Sequence, residues 1–214
     1  MNRRIVVLGW ILVLGLSPSL LEAQSLSKQQ QEAFKEKCLV LAKTFCTYIE
    51  GLTEDNSKSK DMSPEEFFES DMCQWTIGQM KKFFSKEHAN SNKIIDYTPT
   101  GKPPHKSTSI DGYIRLLLNQ RRKYKSVLYD FAAFQITDLE KKKGENGKVY
   151  YEGKVNFQQN YFASKHSTGN SEKKWDVEHE DYKSLTFTID VIETRDGKYF
   201  AISFHKLVLN YDSY

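Results

Sequence analysis

From Ser126 onward apolar residues recur at every second position, and that period admits one kind of element. Leu185, Phe187, Ile189 and Val191 alternate with Ser184, Thr186, Thr188 and Asp190. Phe200, Ile202 and Phe204 alternate with Ser203 and His205. Successive strand side chains point to opposite faces, so each run reads as a strand with one buried face. Four long strands are legible, near Val127–Leu139, Lys148–Phe162, Lys183–Thr194 and Tyr199–Leu209. Gly144 to Gly147 supplies the first turn, and Asp196-Gly197 the last, a strong two-residue hairpin signal. The stretch between, Ser164 to Tyr182, is long and polar and reads as a loop.

The first half follows a helical period instead. Phe34, Cys38, Leu41, Phe45 and Ile49 form one stripe of a helix over about Ser27–Leu52. A second helix starts at Ser63, with Pro64 at its first position and Glu66 completing a capping box. Its apolar residues, from Phe67 to Phe84, lie on more than one side, so it is either buried or broken near Gly78. Such an aromatic and methionine stripe reads as core before it reads as a cofactor site. Lys93–Tyr97 and Lys106–Ser109 read as two short strands around a proline-rich loop. A third helix begins near Ser109 and closes on Arg121-Arg122-Lys123, cations that suit the negative end of its dipole. The expected class is α+β, in the order α-α-β-β-α-β-β-β-β.

The N-terminus carries an address. Arg3 and Arg4 precede an apolar run from Ile5 to Leu21, and Ser17-Pro18-Ser19 and Ala23 follow the layout of a signal peptide cleaved before Gln24. The run is also near the length of a membrane anchor; the serine–proline break favours cleavage. The expected organisation is a leader over 1–23 and one domain over 24–214. The chain is then secreted or periplasmic, with no integral membrane segment after cleavage. A net charge of +3 gives no electrostatic case for nucleic acid.

Chemistry is sparse. Cys38 and Cys46 share a helix, about 12 Å apart in rise, whereas a disulfide needs Cα atoms within about 7 Å. Cys73 could bridge to either, or all three are small buried hydrophobes. No Gly-x-Ser-x-Gly, Gly-x-Gly-x-x-Gly or Walker-type run occurs, and no cofactor is expected. Asp176, Glu178, His179, Glu180 and Asp181, with His166 upstream, are a weak metal candidate in the long loop; a solvated loop is the better reading, and no metal is expected.

Asp111-Gly112-Tyr113-Ile114-Arg115-Leu116, Tyr124-Lys125-Ser126-Val127 and Val155-Asn156-Phe157-Gln158-Gln159-Asn160-Tyr161-Phe162 carry a resemblance. With the element order, they resemble the nuclear transport factor 2-like superfamily, in particular small secreted members from Bacteroidetes-type bacteria. The resemblance implies a cystatin-like cone, a strongly curved antiparallel sheet wrapped around N-terminal helices. Some members use the cone for isomerase, dehydratase or cyclase chemistry, where an Asp or His moves a proton. Shared fold does not carry function with it.

Two sets of residues are candidates for such an interior. Tyr129, Phe131, Phe157 and Tyr161 are candidate pocket lining, drawn from an aromatic-rich stretch. Asp130, Gln158, Asp190 and His205 are candidate polar lining, although a one-residue slip exchanges the faces of a strand. The reading favoured by sequence is a non-catalytic binding module for a small apolar ligand or a protein partner, with an apolar concave face. A pocket enzyme and an envelope-assembly subunit are the alternatives, and the oligomeric state is left open.

Overall fold

The computed structural model describes residues 26–53, 62–85, 95–97, 106–144, 147–165, 175–194 and 197–209. The expected leader with its cleavage site, and His166, lie outside them. Among the described residues, no helix is long and apolar enough to cross a membrane.

The helical stripe of the first segment forms α1, Lys28–Thr53. Phe34, Cys38, Phe45 and Ile49 are all buried, and Leu41 packs half-buried against them. The second helix is two helices. α2 is Pro64–Glu69, opened by Ser63 with the reciprocal Glu66 bond. α3 is Asp71–Lys81. The break falls at Ser70, not at Gly78, which lies inside α3. Ser70 is extended, and its hydroxyl caps α3 by accepting from the Cys73 N–H. A side-chain acceptor at a helix N-terminus thus outweighs the conformational freedom of a mid-helix glycine. Cys38, Cys46 and Cys73 are all free thiols and all buried.

β1 (Ile95–Tyr97) and β2 (Lys106–Thr108) form the short antiparallel pair. Ser109 caps α4, Ile110–Lys123. The long strands are β3 (Ser126–Ile136), β5 (Val149–Ser164), β6 (Val177–Thr194) and β7 (Gly197–Leu209). A further strand, β4 (Glu140–Lys143), pairs with β5 beyond the end of β3. Its Glu-Lys-Lys-Lys composition has no apolar alternation, so the period gave no sign of it. Strand β6 begins at Val177, so residues 177–182 belong to the sheet rather than to the long polar loop.

The seven strands make one sheet in the order β2-β1-β7-β6-β5-β3, with β4 beside β5. All pairings are antiparallel except β1 with β7. Thr194 pairs with Gly197, so Gly197 belongs to β7 rather than to the turn; residues 195 and 196 lie outside the described residues. Helices pack on one side, where Val155, Leu185, Phe187, Ile189 and Leu207 are fully or almost fully buried.

Two bulges set which side chains reach that side. In β3 the register steps between Ala132 and Gln135, and Ala133 takes φ 53°. The extra residue lets Phe131 and Phe134 both reach the Phe157 ring, at 5.8 and 5.3 Å. In β7 the register steps between Phe204 and Lys206. There the Phe204 N–H leaves the ladder and donates to Phe83 O at 2.6 Å, tying the segment after α3 to the sheet. The Phe83 and Phe204 rings stack at 5.6 Å, and Phe45 meets both edge-on.

Candidate functional site

The pairing of β3, β5 and β6 lays out the helix-facing side as rows. Tyr129, Tyr161 and His179 form one row. Phe131, Gln159 and Asp181 form the next, and Phe157 and Lys183 the one after. The rows then pass into the apolar core at Val155 and Leu185. Aromatic side chains occupy the β3 end of each row, and polar ones the β6 end.

The four aromatic candidates therefore come together. Tyr129 and Phe157 are buried, Phe131 and Tyr161 half-buried. The Tyr129 and Tyr161 rings lie 5.0 Å apart, and the Tyr161 hydroxyl donates to Gln120 Oε1 on α4 at 3.3 Å. That bond holds the Tyr161 ring against the last turns of α4.

The four polar candidates are on the other side of the sheet. Asp130 and Asp190 are exposed. Asp130 accepts from Asn160 Nδ2 at 3.3 Å, and Gln158 Nε2 donates to Asn160 Oδ1 and Glu180 Oε2 at 2.9 and 2.7 Å. His205 sits in the β7 bulge with Nε2 2.7 Å from Thr188 Oγ1. Thr188 shares the parity of Asp190, opposite Phe187 and Ile189. None of these four joins the aromatic group.

The polar residues that do join it are Gln159, Asp181, Lys183 and His179. Gln159, Asp181 and Lys183 are only 7%, 4% and 5% exposed. Lys183 Nζ is 3.4 Å from Asp181 Oδ2. His179 Nε2 approaches Asp181 Oδ1 to 2.9 Å. It is an ion-pair contact when the imidazole is protonated; neither atom forms a hydrogen bond among the described residues, nor does Gln159 Oε1. On the helix-facing side, aromatic side chains therefore gather at β3 and polar ones at β6.

A buried acceptor left without a donor costs about 1–3 kcal/mol, and a buried ion pair at best roughly offsets its own desolvation. This cluster is therefore poor packing by any stability criterion. It does supply two buried acceptors, an ammonium and an imidazole beside an aromatic wall.

The weak metal candidate divides. His179 and Asp181 face the helices, whereas Glu178 and Glu180 face the opposite side by strand alternation. Among the described residues, no group of three or more His, Cys, Asp or Glu side chains is placed to hold a metal ion.

Gln159 and Asp181 were readable as a pair only through parity. Counting back in twos from Leu185 reaches Lys183, Asp181 and His179, and counting from Phe157 reaches Gln159. That signal was present, but the polar run around Asp181 resembles a loop.

No family model matches this chain, and no curated protein matches it. Several solved structures are similar to it. A candidate polyketide cyclase from Xanthomonas campestris pv. campestris shares 10% identity over 77% of this chain and 90% of its own, with a TM-score of 0.29. A candidate scytalone dehydratase from Novosphingobium aromaticivorans shares 13% identity over 81% and 87%, with a TM-score of 0.30. ActVI-ORFA from Streptomyces coelicolor shares 8% over 84% and 98%, also at 0.30. These neighbours are proteins of the nuclear transport factor 2-like fold. Superpositions of this quality carry neither an activity nor a substrate to this chain.

Proposed function

We propose that this chain is an exported small-molecule binding module with a nuclear transport factor 2-like cone, its ligand seated on the helix-facing side over Gln159 and Asp181. The observation that carries the reading is the buried pair Gln159 Oε1 and Asp181 Oδ1, neither of which accepts a hydrogen bond among the described residues, although His179 Nε2 stands 2.9 Å from Asp181 Oδ1. Buried polar groups are satisfied in the great majority of folded proteins. Two that lie side by side across a strand pair mark a place that a ligand completes. Tyr129, Tyr161, Phe131 and Phe157 give that place an apolar wall, the usual make-up of a small-molecule site. Bulges in β3 and β7 bend and twist their strands, which suits a curved sheet closing over the helices.

The test is a ligand-observed NMR screen of a chemically mixed fragment set against the chain, Gln159→Leu and Asp181→Asn. Fragments that bind the unmodified chain and are lost in both variants are the expected result. A screen with no binder, or binders indifferent to both changes, would refute the assignment.

A second reading draws on one contact. His179 Nε2 lies 2.9 Å from Asp181 Oδ1, with Tyr129 and Tyr161 in the same or neighbouring rows. An imidazole beside a carboxylate is a proton-moving pair, and a nearby phenol would steady a developing oxyanion. Turnover of a carbonyl or hydroxyl substrate, abolished by His179→Gln without loss of binding, would favour this enzyme reading over the binding module.

A further inference from the structure

We propose that His179 is a proton-controlled latch over Asp181. Protonated, its ring holds Asp181 Oδ1 and keeps the site shut. Neutral, it turns to solvent and opens the carboxylate. The proposal rests on the reading of this face as a ligand site and names how access to it is regulated.

The geometry is that of a shut site. Gln159 Oε1, Asp181 Oδ1 and His179 Nε2 are all buried atoms, so the two acceptors become accessible only when something moves. His179 is placed to move. Its side chain is 36% exposed, whereas those of Asp181 and Lys183 are each 5% exposed. Its Nε2 stands 2.9 Å from Asp181 Oδ1, yet neither atom forms a hydrogen bond among the described residues. A contact of that length without a hydrogen bond is held by opposite charge, so it needs the imidazolium. In a neutral ring Nε2 is either an acceptor, which a carboxylate oxygen repels, or an N–H.

The described titratable groups on the His179 side are Asp181 and Lys183 on β6, Tyr161 opposite it in β5 and Tyr129 in β3. α4 reaches this row through Gln120; the charged group among the described side chains of its last turn is Lys123, whose Nζ lies 5.6 Å from the Tyr124 ring centre. Glu178 and Glu180 project to the other face. Of these side-chain types, the imidazole is the one whose charge ordinarily changes between about pH 5 and 8. Loss of its proton leaves Asp181 with Lys183, 3.4 Å from Oδ2, and leaves Oδ1 buried beside an uncharged ring. A buried charge short of partners is costly. Turning the half-exposed ring outward relieves that cost by admitting water or a ligand donor to Oδ1. The ladder pairing of His179 with Tyr161 need not change, because only the side chain turns.

The test is carboxyl labelling of the full chain with a water-soluble carbodiimide and glycine ethyl ester, at about pH 5.5 and about pH 7.5, within the imidazole range. Mass spectrometry reads Asp181 relative to Asp130 and Asp190, exposed carboxylates of the same chain that cancel the reagent's own pH dependence. The relative labelling of Asp181 is expected to rise about five- to tenfold at the higher pH, as the loss of one half-exposed charged contact implies. His179→Leu, uncharged at either pH, is expected to remove the pH dependence. His179→Lys, charged at both, is expected to keep Asp181 protected at both. Relative labelling that does not change with pH overturns the latch, and so does a pH dependence that survives in His179→Leu. If neither variant folds, the profile of the unmodified chain still decides, because a flat one overturns the latch. Fragment binding separates the latch from the site. Fragments held at Gln159 and Asp181 equally well at both pH values leave the site and overturn the latch. A pH-dependent Asp181 with no fragment bound leaves the latch and overturns the ligand site.

Discussion

Gly153→Ala tests the packing that places the site, and the sign of its effect follows from competing magnitudes. Removing a glycine from a strand lowers the entropy of the unfolded chain, a gain of about 0.4–1 kcal/mol where the native backbone tolerates the change. Here the added Cβ would stand 2.7 Å from Phe187 Cζ, 3.1 Å from Leu139 Cδ2 and 3.2 Å from Phe187 Cε1. Phe187 is fully buried and pairs in register with both Gly153 and Phe204, so its ring has no space to retreat into. Forcing an extra methyl into a filled core costs about 1–3 kcal/mol. The core term wins, and a net loss of about 1–2 kcal/mol is expected. Urea unfolding at unchanged m-value measures it. Phe187→Leu in the Gly153→Ala background should recover part of the loss, so that the two changes couple in a double-mutant cycle. Stabilisation by Gly153→Ala, or strict additivity with Phe187→Leu, would show that the ring does not lie over this glycine.

Burial raises the Cys38 and Cys46 thiols well above their usual range and Cys73 to about 11, with Arg115 pulling Cys73 slightly back. A thiol-reactive disulfide reagent at pH 8 should therefore label none of them in the native chain and all three once it is unfolded. The hydrogen bonds from the Ser63 backbone and side chain hold Glu66 below its ordinary value of 4.5. Its contribution is present above that value and lost as pH falls through the lower folded one, so Glu66→Gln should flatten the acid limb of the stability profile. Ala133 sits at φ 53° in the β3 bulge. Ala133→Gly relieves about 1–2 kcal/mol of left-handed strain against about 0.5–1 kcal/mol of added chain entropy, and a small rise in thermal midpoint is expected.

Most of the fold was legible because its elements advertise themselves by period. The α1 stripe, the Ser63 capping box, the Ser109 start of α4 and the alternation in β6 each follow one local rule. What period does not encode was missed. β4 has no apolar face, and it exists because β5 extends past β3 and leaves a ladder edge for Glu140–Lys143 to pair with. The break at Ser70 depends on which of two capping options wins. The start of β6 was hidden because Glu178 to Asp181, just after Val177, are polar on both faces.

That last case explains why the site was harder to read than the sheet. On the outer side of β6 polar residues are expected, and on the inner side apolar ones. His179, Asp181 and Lys183 break the second rule at three successive inward positions. A sequence scan for amphipathic strands therefore discards the stretch as loop, and turns to isolated polar residues such as Asp130 and Asp190, which are ordinary solvent-side residues. Parity anchored on the secure core residue Leu185 gives the better criterion: polar side chains that keep step with the buried face. Their burial lowers stability, since apolar residues of similar volume would remove the unpaired acceptors and the desolvated ion pair. Gln159→Leu puts that to measurement. If the acceptor is unpaired in the ligand-free chain, the change should raise stability by about 1 kcal/mol. Asp181→Leu, which removes the carboxylate beside the buried Lys183 ammonium, should instead cost about 3–5 kcal/mol. A destabilising Gln159→Leu would mean that the amide is already satisfied, and the strongest reason for placing a ligand there would be gone.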